Sequence, residues 1–172
     1  FTVGIGVHTP FGLVNQYKSD GQFKYLGIHN EIRETSYLTS LSWAINDTVA
    51  IGAGAAYATT HLKQVGKLNA TFINNANGVP GTYADTLTEM DVDGHGWGWN
   101  SGILIKVNDR LTAGAFYRSL IRNQLEGDYS ADNIDGPAMQ AIFGGSTFQT
   151  DVTTDIKMPD SLVVGAKYQL ND

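Results

Sequence analysis

The chain has 172 residues, with 11 Lys and Arg against 17 Asp and Glu, a net charge of −6, 20 Gly and no Cys. The lack of Cys excludes disulfide scaffolds, zinc–thiolate sites and cysteine nucleophiles, and the acidic balance argues against nucleic acid as a partner. No apolar run reaches the length of about 18 residues that a membrane helix needs. The length allows one domain, and aromatic residues at 10% are too frequent for a disordered chain.

Alternation of apolar residues with small or polar ones, the period of a β-strand, recurs along the chain from Phe1 onwards. It predicts six antiparallel strands in which one set of alternate positions faces outward and is apolar, while Gly, Lys and Arg face inward. A helical period appears only weakly, at 137–143. The alternating segments are 1–7, 37–45, 49–57, 97–107, 111–121 and 162–170.

Connections of two lengths alternate between these strands. Asn46-Asp47, Asn108-Asp109 and Asn171-Asp172 predict tight turns, because Asn and Asp tolerate the positive φ of two-residue hairpins. Long, polar, Gly-rich loops are predicted between them. Short turns at one rim and long loops at the other are typical of an outer-membrane β-barrel. The predicted long loops are about 8–32, 62–87 and 130–147.

The fold class predicted from this pattern is all-β: one partial domain, 1–172, forming a segment of an antiparallel transmembrane β-barrel. The alternative is a β-sandwich, soluble or on the cell surface, that acts as a binding or adhesin module. Sandwich strands are usually about 3–10 residues long, whereas each strand predicted here except the first runs about 15–22 residues, beyond its alternating segment. Since about eight strands are the fewest that close a bacterial barrel, we expect an internal piece of a larger one.

Several segments, in this order and at these spacings, resemble the long-chain fatty acid transporter family of Gram-negative outer membranes (FadL-type, which includes toluene and hydrocarbon porins). The resemblance covers nearly the whole chain and is strongest at GWGWNSGIL, residues 96–104. The other segments that carry it are GIGVHTPFGL at 4–13, WAINDTVAIGAG at 43–54, LTAGAFYRS at 111–119, LEGDY at 125–129, MPDS at 158–161 and VGAKY at 164–168.

The resemblance implies a fourteen-stranded monomeric barrel in the bacterial outer membrane, in contact with lipid or detergent, with an N-terminal hatch. It implies passive uptake of long-chain fatty acids or other hydrophobic small molecules, which leave sideways through a gap beside a kinked third strand. The hatch and the later strands are absent from this sequence. The resemblance also implies that the loops at 62–87 and 130–147 form an outer groove where ligand first lands.

Inward-facing cations and their apolar neighbours are the predicted ligand site in the lumen, because a cation could hold a fatty carboxylate by a charge-assisted bond. Arg118 is the best of these candidates. The alternative is that the cations pair with acids such as Glu126 or Asp128. The predicted lumen residues are Arg118, Arg122, Lys106, Phe116 and Leu120.

Apolar residues within the polar loops are the predicted outer hydrophobic groove, since they would be anomalous in a soluble loop. The alternative is that they pin the two long loops to each other. The predicted groove residues are Leu68, Phe72, Ile73, Val79, Tyr83, Met139, Ile142, Phe143 and Phe148.

Pro10 and Gly12 mark a place where strand pairing should fail, because Pro cannot donate to the ladder and Gly permits a bulge. This kink suits a lateral opening. A strand that simply ends at the rim would carry the same residues.

Acidic, Gly-containing segments at 91–95 and 132–136 do not complete a calcium-loop pattern, and we interpret them as structural turns. The sequence carries no nucleophile elbow and no zincin helix. We therefore expect neither a metal, nor a cofactor, nor an enzymatic activity.

Overall fold

A computed structural model describes residues 1–170 as nine strands and two short helices. No helix within this range is long and apolar enough to cross a membrane. The predicted turn at 171–172 lies outside the described residues. In chain order the elements are β1 Thr2–His8, β2 Gly12–Gln16, β3 His29–Ala44, β4 Val49–Leu68, α1 Ala70–Ala76, β5 Thr86–Lys106, β6 Leu111–Arg118, β7 Ile121–Asp132, α2 Pro137–Phe143, β8 Phe148–Met158 and β9 Ser161–Tyr168.

The nine strands form six long antiparallel strands, because three of the six are interrupted. β1 and β2 both pair with β3, β6 and β7 both pair with β5, and β8 and β9 pair with β7 and β6. Across the sheet the order is β1/β2, β3, β4, β5, β6/β7 and β8/β9. Neighbours in this order are also neighbours along the chain, as in an up-and-down barrel, so the predicted fold class and number of strands are confirmed.

The sheet is curled into a trough. Three strands separate Phe11, on the first long strand, from Arg118, on the fifth, yet the guanidinium carbon is 5.3 Å from the centre of the Phe11 ring. Phe11 also packs against a buried cluster drawn from three further strands. The members of that cluster are Ala56, Ala58, Ile121 and Met158.

On the concave face, residues that are paired across neighbouring strands form rows of side chains. In several of these rows the residue from β5 is glycine. An added Cβ at Gly94 or Gly96 would overlap the carbonyl oxygen of Gln124 or Arg122, and one at Gly98 would press on the side chain of Ile121. The inner side chains of β7 therefore lie directly over the backbone of β5. This close approach is what allows the trough to curl sharply at β5.

The convex face is apolar and carries a row of aromatic rings. Tyr37, Tyr57 and Trp97 are in register, with ring centroids 6.4 and 4.9 Å apart, and Trp97 is 67% exposed. From Trp97 to Val107 the chain advances ten residues, which at about 3.3 Å per residue and a tilt of about 40° spans about 25 Å. That is the height of an apolar membrane band.

The β-sandwich alternative is wrong for this chain. It requires the apolar outer positions to converge in a closed core between two sheets. Instead Trp43, Ile51 and Ile103 lie in register on the convex face and are exposed.

Two tight turns occur where the sequence predicts them, but for a different reason. Among residues 1–170, Asn133 is the one non-glycine residue with positive φ, so neither turn uses that conformation. Instead the side-chain oxygen of Asn46 accepts from the N–H groups of Thr48 and Val49, both at 2.8 Å, and that of Asn108 accepts from Arg110 and Leu111, both at 2.9 Å. These are Asx turns.

The long strands extend further than the period-two segments indicated. β2 and the start of β3 occupy about a third of the predicted loop 8–32, and β4 and β7 run several residues into the loops predicted at 62–87 and 130–147. The segment 91–95, interpreted as a turn, lies within β5. Alternation of apolar with polar residues is not visible in these parts of the strands. They extend beyond the apolar band, so side chains on both faces of the sheet are polar.

The glycine positions of β5 predict a sharp difference between two Gly→Ala variants. Gly94→Ala places a methyl group against backbone and should cost about 1–3 kcal/mol or more. Gly66→Ala, on the neighbouring strand, meets only the Thr88 hydroxyl at 3.7 Å and should fold normally. The folded fraction of the full-length protein, read from its heat-modifiable electrophoretic mobility after refolding in detergent, measures both. Equal folding of the two variants would contradict the close packing at β5.

Candidate functional site

The trough is the natural place for a ligand, and Arg118 is the cation that faces into it. β6 pairs Arg118 with Asn100 and Phe116 with Gly102, which places both side chains on the concave face as predicted. The guanidinium lies over the Phe11 ring. Among residues 1–170 no carboxylate forms an ion pair with Arg118, so pairing with Glu126 or Asp128 does not account for it.

Arg122 lies on the opposite face from Arg118, which corrects the prediction that the two share the lumen. β5 contributes four residues between the pairs Asn100–Arg118 and His95–Gln124, whereas the opposite strand contributes five. One extra residue is therefore bulged out at 119–120, and such a bulge reverses the parity of every later position. Ile121 turns inward and is buried, while Arg122 is exposed on the convex side.

Ser119 makes this bulge possible, and the sequence reasoning missed it. Its N–H donates to the Trp99 carbonyl at 2.9 Å, and its hydroxyl accepts from the Trp99 N–H at 2.9 Å. The side chain thus replaces the carbonyl that a regular ladder would supply. A small hydroxyl residue at the end of an alternating run is the one signal that could have indicated it.

The remaining lumen candidates lie in different places. Leu120 is in the bulge, between β6 and β7, and is 44% exposed. Lys106 is at the end of β5, where it forms an ion pair with Asp109 of the tight turn at 3.0 Å. By register Lys106 faces the same side as Arg118, as predicted, but it lies six residues further along β5 and its charge is paired with Asp109.

Strand pairing is interrupted around Pro10, where three residues face only two of β3. Pairing stops at His8–Ser36 and resumes at Gly12–Arg33. The bulge turns Phe11 into the trough, and its carbonyl accepts from the Glu34 N–H at 2.9 Å. The kink is present, and its role as a lateral opening remains a prediction.

Most of the predicted groove residues pack against one another rather than lining a groove. A cluster between the two helical loops has Ala70, Ala131, Ile134 and Met139 buried at its centre. Phe72 and Ile142, one on each helix, are instead 69% and 62% exposed, and Val79 is half-buried. The groove residues that pack in this loop cluster are Leu68, Ile73, Tyr83, Met139, Phe143 and Phe148.

Asn74, which sequence reasoning did not select, ties the two helices together. Its fully buried amide nitrogen donates to the carbonyls of Ala70 and Asp135, at 2.8 and 3.0 Å. Its oxygen accepts from the N–H groups of Ala138 and Met139, at 2.9 and 3.4 Å, at the start of α2. One side chain in α1 therefore caps the other helix.

An ion pair fastens the segment after β2 to the segment before β5. Lys24 donates to Asp85 at 2.7 Å, and the Tyr25 hydroxyl donates to the same carboxylate at 2.9 Å. Desolvation acts to raise the pKa of Asp85, but the hydrogen bonds from Lys24 and Tyr25 outweigh it and hold that pKa below its ordinary value. The same bond to Asp85 raises the pKa of Lys24.

One group of side chains on the convex face has the spacing of a cation site. Ligand atoms of His61, Asp91 and Asp93 lie within 4.8 Å of one another. The His61 ring nitrogen is 2.9 Å from Asp93, and Lys63 pairs with Asp91 at 3.2 Å. These contacts among neighbours explain the arrangement without an ion.

The sequence profile of one family, described as "Outer membrane protein transport protein (OMPP1/FadL/TodX)", matches residues 1–172. The chain is similar to the long-chain fatty acid transport protein of Escherichia coli O6:H1 (strain CFT073), with 24% identity over 143 residues. That match covers 76% of this chain and 32% of the relative.

Two crystal structures share the fold. A Pseudomonas aeruginosa FadL homologue superimposes with a TM-score of 0.81 at 21% identity, over 99% of this chain and 42% of the other. The Ralstonia pickettii toluene transporter TbuX gives 0.73 at 19% identity, over 99% and 48%. The chain thus spans about a third of the curated relative and less than half of either structure.

Removing the Asn74 amide should loosen both helices. Asn74→Ala leaves two carbonyls and two N–H groups without their partner, a loss of about 1–3 kcal/mol of local stability. Asn77→Ala is the matched control, since Asn77 is exposed and donates to one carbonyl. Amide hydrogen exchange across α1 and α2 in the full-length protein should rise in the first variant only. Unchanged exchange would show that the apolar cluster alone holds the loops.

The Lys24–Asp85 ion pair should open in acid. Because the folded pKa of Asp85 is depressed, its stabilisation is complete above the ordinary value of 3.8 and is lost as pH falls through the folded value. A spin label at Gln22, in a background free of other Cys, should become mobile over that range. Asp85→Asn should be mobile at neutral pH, and Asp47→Asn, in a tight turn, should behave as wild type. If the mobility of the label changes neither with pH nor in the Asp85→Asn variant, the ion pair does not hold this segment.

Proposed function

The chain belongs to the outer membrane protein transport family, and on that premise we propose that it forms part of a channel for passive uptake of long-chain fatty acids or other hydrophobic small molecules. It contributes six strands of a barrel that acts as a monomer, in contact with outer-membrane lipid. Transport needs no bond to be made or broken, and the proposal assigns no catalytic step to this chain.

The observation that carries the proposal is the pairing of a cation with an apolar ring inside the trough. The Arg118 guanidinium can bind a carboxylate by charge-assisted hydrogen bonds, while Phe11 and Phe116 offer apolar surface to the attached chain. Burying a carboxylate without such a partner is costly. Among residues 1–170 no carboxylate pairs with Arg118, so within this part of the barrel its donors are available to cargo.

Space for the body of a cargo molecule is available on the side of Arg118 towards the tight turns. Inner positions of β3 and β4 there are serine, glycine or alanine, so these two strands add little side-chain volume to the trough. Two successive rows of the wall are Ser40, Gly54 and Asn100, and then Ser42, Gly52 and Gly102. On the other side of Arg118, the cluster around Phe11 fills the trough.

The names of the relatives agree with an apolar cargo of two kinds. One is called a long-chain fatty acid transport protein and another a toluene transporter. The exposed Phe72 and Ile142, held on the rigid loop cluster, are the side chains that we propose as first contacts for such molecules.

Arg118→Met tests whether the cation binds the head group. A fatty acid should lose about 1.5–3 kcal/mol of binding, whereas an alkane should bind as before, because Met keeps the length and removes the charge. Arg122→Met, on the opposite face, is the matched control and should change neither. Titration of the full-length protein in detergent with oleate and with an alkane gives the comparison. An equal loss for both ligands would mean that Arg118 only maintains the barrel.

Uptake by cells tests the function itself. The full-length protein, expressed in a strain that lacks its own transporter, should admit oleate or toluene without an energy source. Failure with both would contradict the proposed function, whatever the binding data show.

A further inference from the structure

Four polar side chains are buried together on the concave face, on the side of Arg118 away from the tight turns. Glu34, Ser36, Thr60 and Asn123 are each at most 2% exposed. They are called the polar cluster below. Burial this complete is unusual for polar groups unless each has a hydrogen-bond partner.

Most of the hydrogen-bonding capacity of the polar cluster is unused. Ser36 donates to one carboxylate oxygen of Glu34 at 3.0 Å. Among the described residues, the second carboxylate oxygen of Glu34, the hydroxyl of Thr60 and both amide atoms of Asn123 have no partner. The unused groups thus include acceptors and donors.

Strand register brings these groups into two adjoining rows. Glu34 is paired with Thr60, and Ser36 is paired with Ala58, which in turn is paired with Gly96. The Asn123 amide lies over Gly96, since an added Cβ there would be 2.5 Å from its oxygen. In the register, Ala58 and Gly96 are the residues between Ser36 and the Asn123 amide.

Apolar side chains surround the polar cluster. Ile156 is the strand partner of Asn123, and Phe11, Ile32 and Leu38 pack with Ile156 against the buried core. A group that satisfied the cluster would have to be polar at one point and apolar elsewhere. That description fits a hydrophobic molecule with a single small polar substituent.

We propose that the polar cluster binds the neutral hydroxyl group of a hydrophobic cargo molecule, such as a phenol. This inference rests on the proposed function and adds a substrate class to it. The hydroxyl donates to the free oxygen of Glu34 and accepts from Thr60 or Asn123. A hydrocarbon leaves these groups unpaired, and a carboxylate is repelled by Glu34, so neither gains from the site.

Three ligands that differ in one substituent test the proposal: toluene, p-cresol and p-toluate. Calorimetric titration of the full-length protein in detergent should show p-cresol binding more tightly than toluene. Thr60→Val removes one partner and keeps the shape, so p-cresol should bind about three- to tenfold more weakly while toluene is unchanged. Thr59→Val, the next residue on the opposite face, is the matched control and should alter neither affinity.

A second pair of variants separates recognition from structural damage. Asn123→Leu should also weaken p-cresol selectively, and Glu34→Gln should weaken p-cresol and strengthen p-toluate. Thr60→Val should fold at least as well as wild type, since it removes a buried hydroxyl that has no partner. Folding is checked by electrophoretic mobility.

The result that overturns the inference is p-cresol and toluene binding equally, or p-cresol binding that is unchanged by Thr60→Val and Asn123→Leu. That result would assign the polar cluster to ordered water or to a part of the barrel outside this chain. It is distinct from failure of the proposed function, because toluene uptake by cells would then persist without any preference for a hydroxyl.

Discussion

The architecture depends on the absence of side chains along the inner edge of β5. At Gly94, Gly96 and Gly98 the neighbouring strand lies against bare backbone, and an added methyl group would overlap it. A sheet with side chains at these positions would stay open, since two layers of inner side chains would hold β4 and β7 apart. With glycine there, Ala56 and Ala58 of β4 meet Ile121 of β7, and the six strands form a trough with an interior.

The interior has two parts, and the bulges lie at the border between them. On one side the rows are filled by Phe11, Ile121 and Met158, and on the other they are lined by Gly and Ser. Each bulge adds one residue to a long strand, at 9–11 and at 119–120. The first turns Phe11 inward, and the second allows Arg118 and Ile121 to face inward from the same strand. The contact between Arg118 and Phe11 thus depends on the first bulge, and the packing of Phe11 against Ile121 depends on both.

Period-two patterning was enough to predict the six strands, the two tight turns within the described residues and the face on which Arg118 lies. It failed where the chain departs from strict alternation. Arg122 was placed inside because parity was carried through 119–120, and nothing in the residue types there demands an extra residue. The bulge depends on a hydroxyl group of Ser119 that satisfies the Trp99 N–H, and such a contact exists only once two strands have met.

The loops show a second limit of sequence reasoning. Their apolar residues were recognised, but hydrophobicity alone cannot tell whether a side chain faces a ligand or a neighbouring helix. The position of α2 relative to α1 determines which apolar side chains are buried. The Asn74 amide fixes that position by hydrogen bonds to both helices. Gly136, with φ of 93°, is required at that junction because a side chain there would occupy the space of the amide. A Gly-Pro pair before an apolar run is a weak signal for such a junction.

On the proposed function, the contacts between the loops and the asymmetry of the trough together constrain how cargo could move. The ion pair of Lys24 with Asp85 and the amide of Asn74 hold the loops in place. If the loops do not move, the path must open inside the trough. The packed side contains Phe11, which lies in the interruption between β1 and β2. A displaced Phe11 would uncover Arg118 and the floor at Ala58, next to the unpartnered groups of Glu34 and Thr60. An acidic substituent of a cargo molecule would then bind Arg118 on one side, and a hydroxyl substituent would bind the carboxylate of Glu34 on the other. A single passage with these two groups would discriminate acids from alcohols without a separate gate for each.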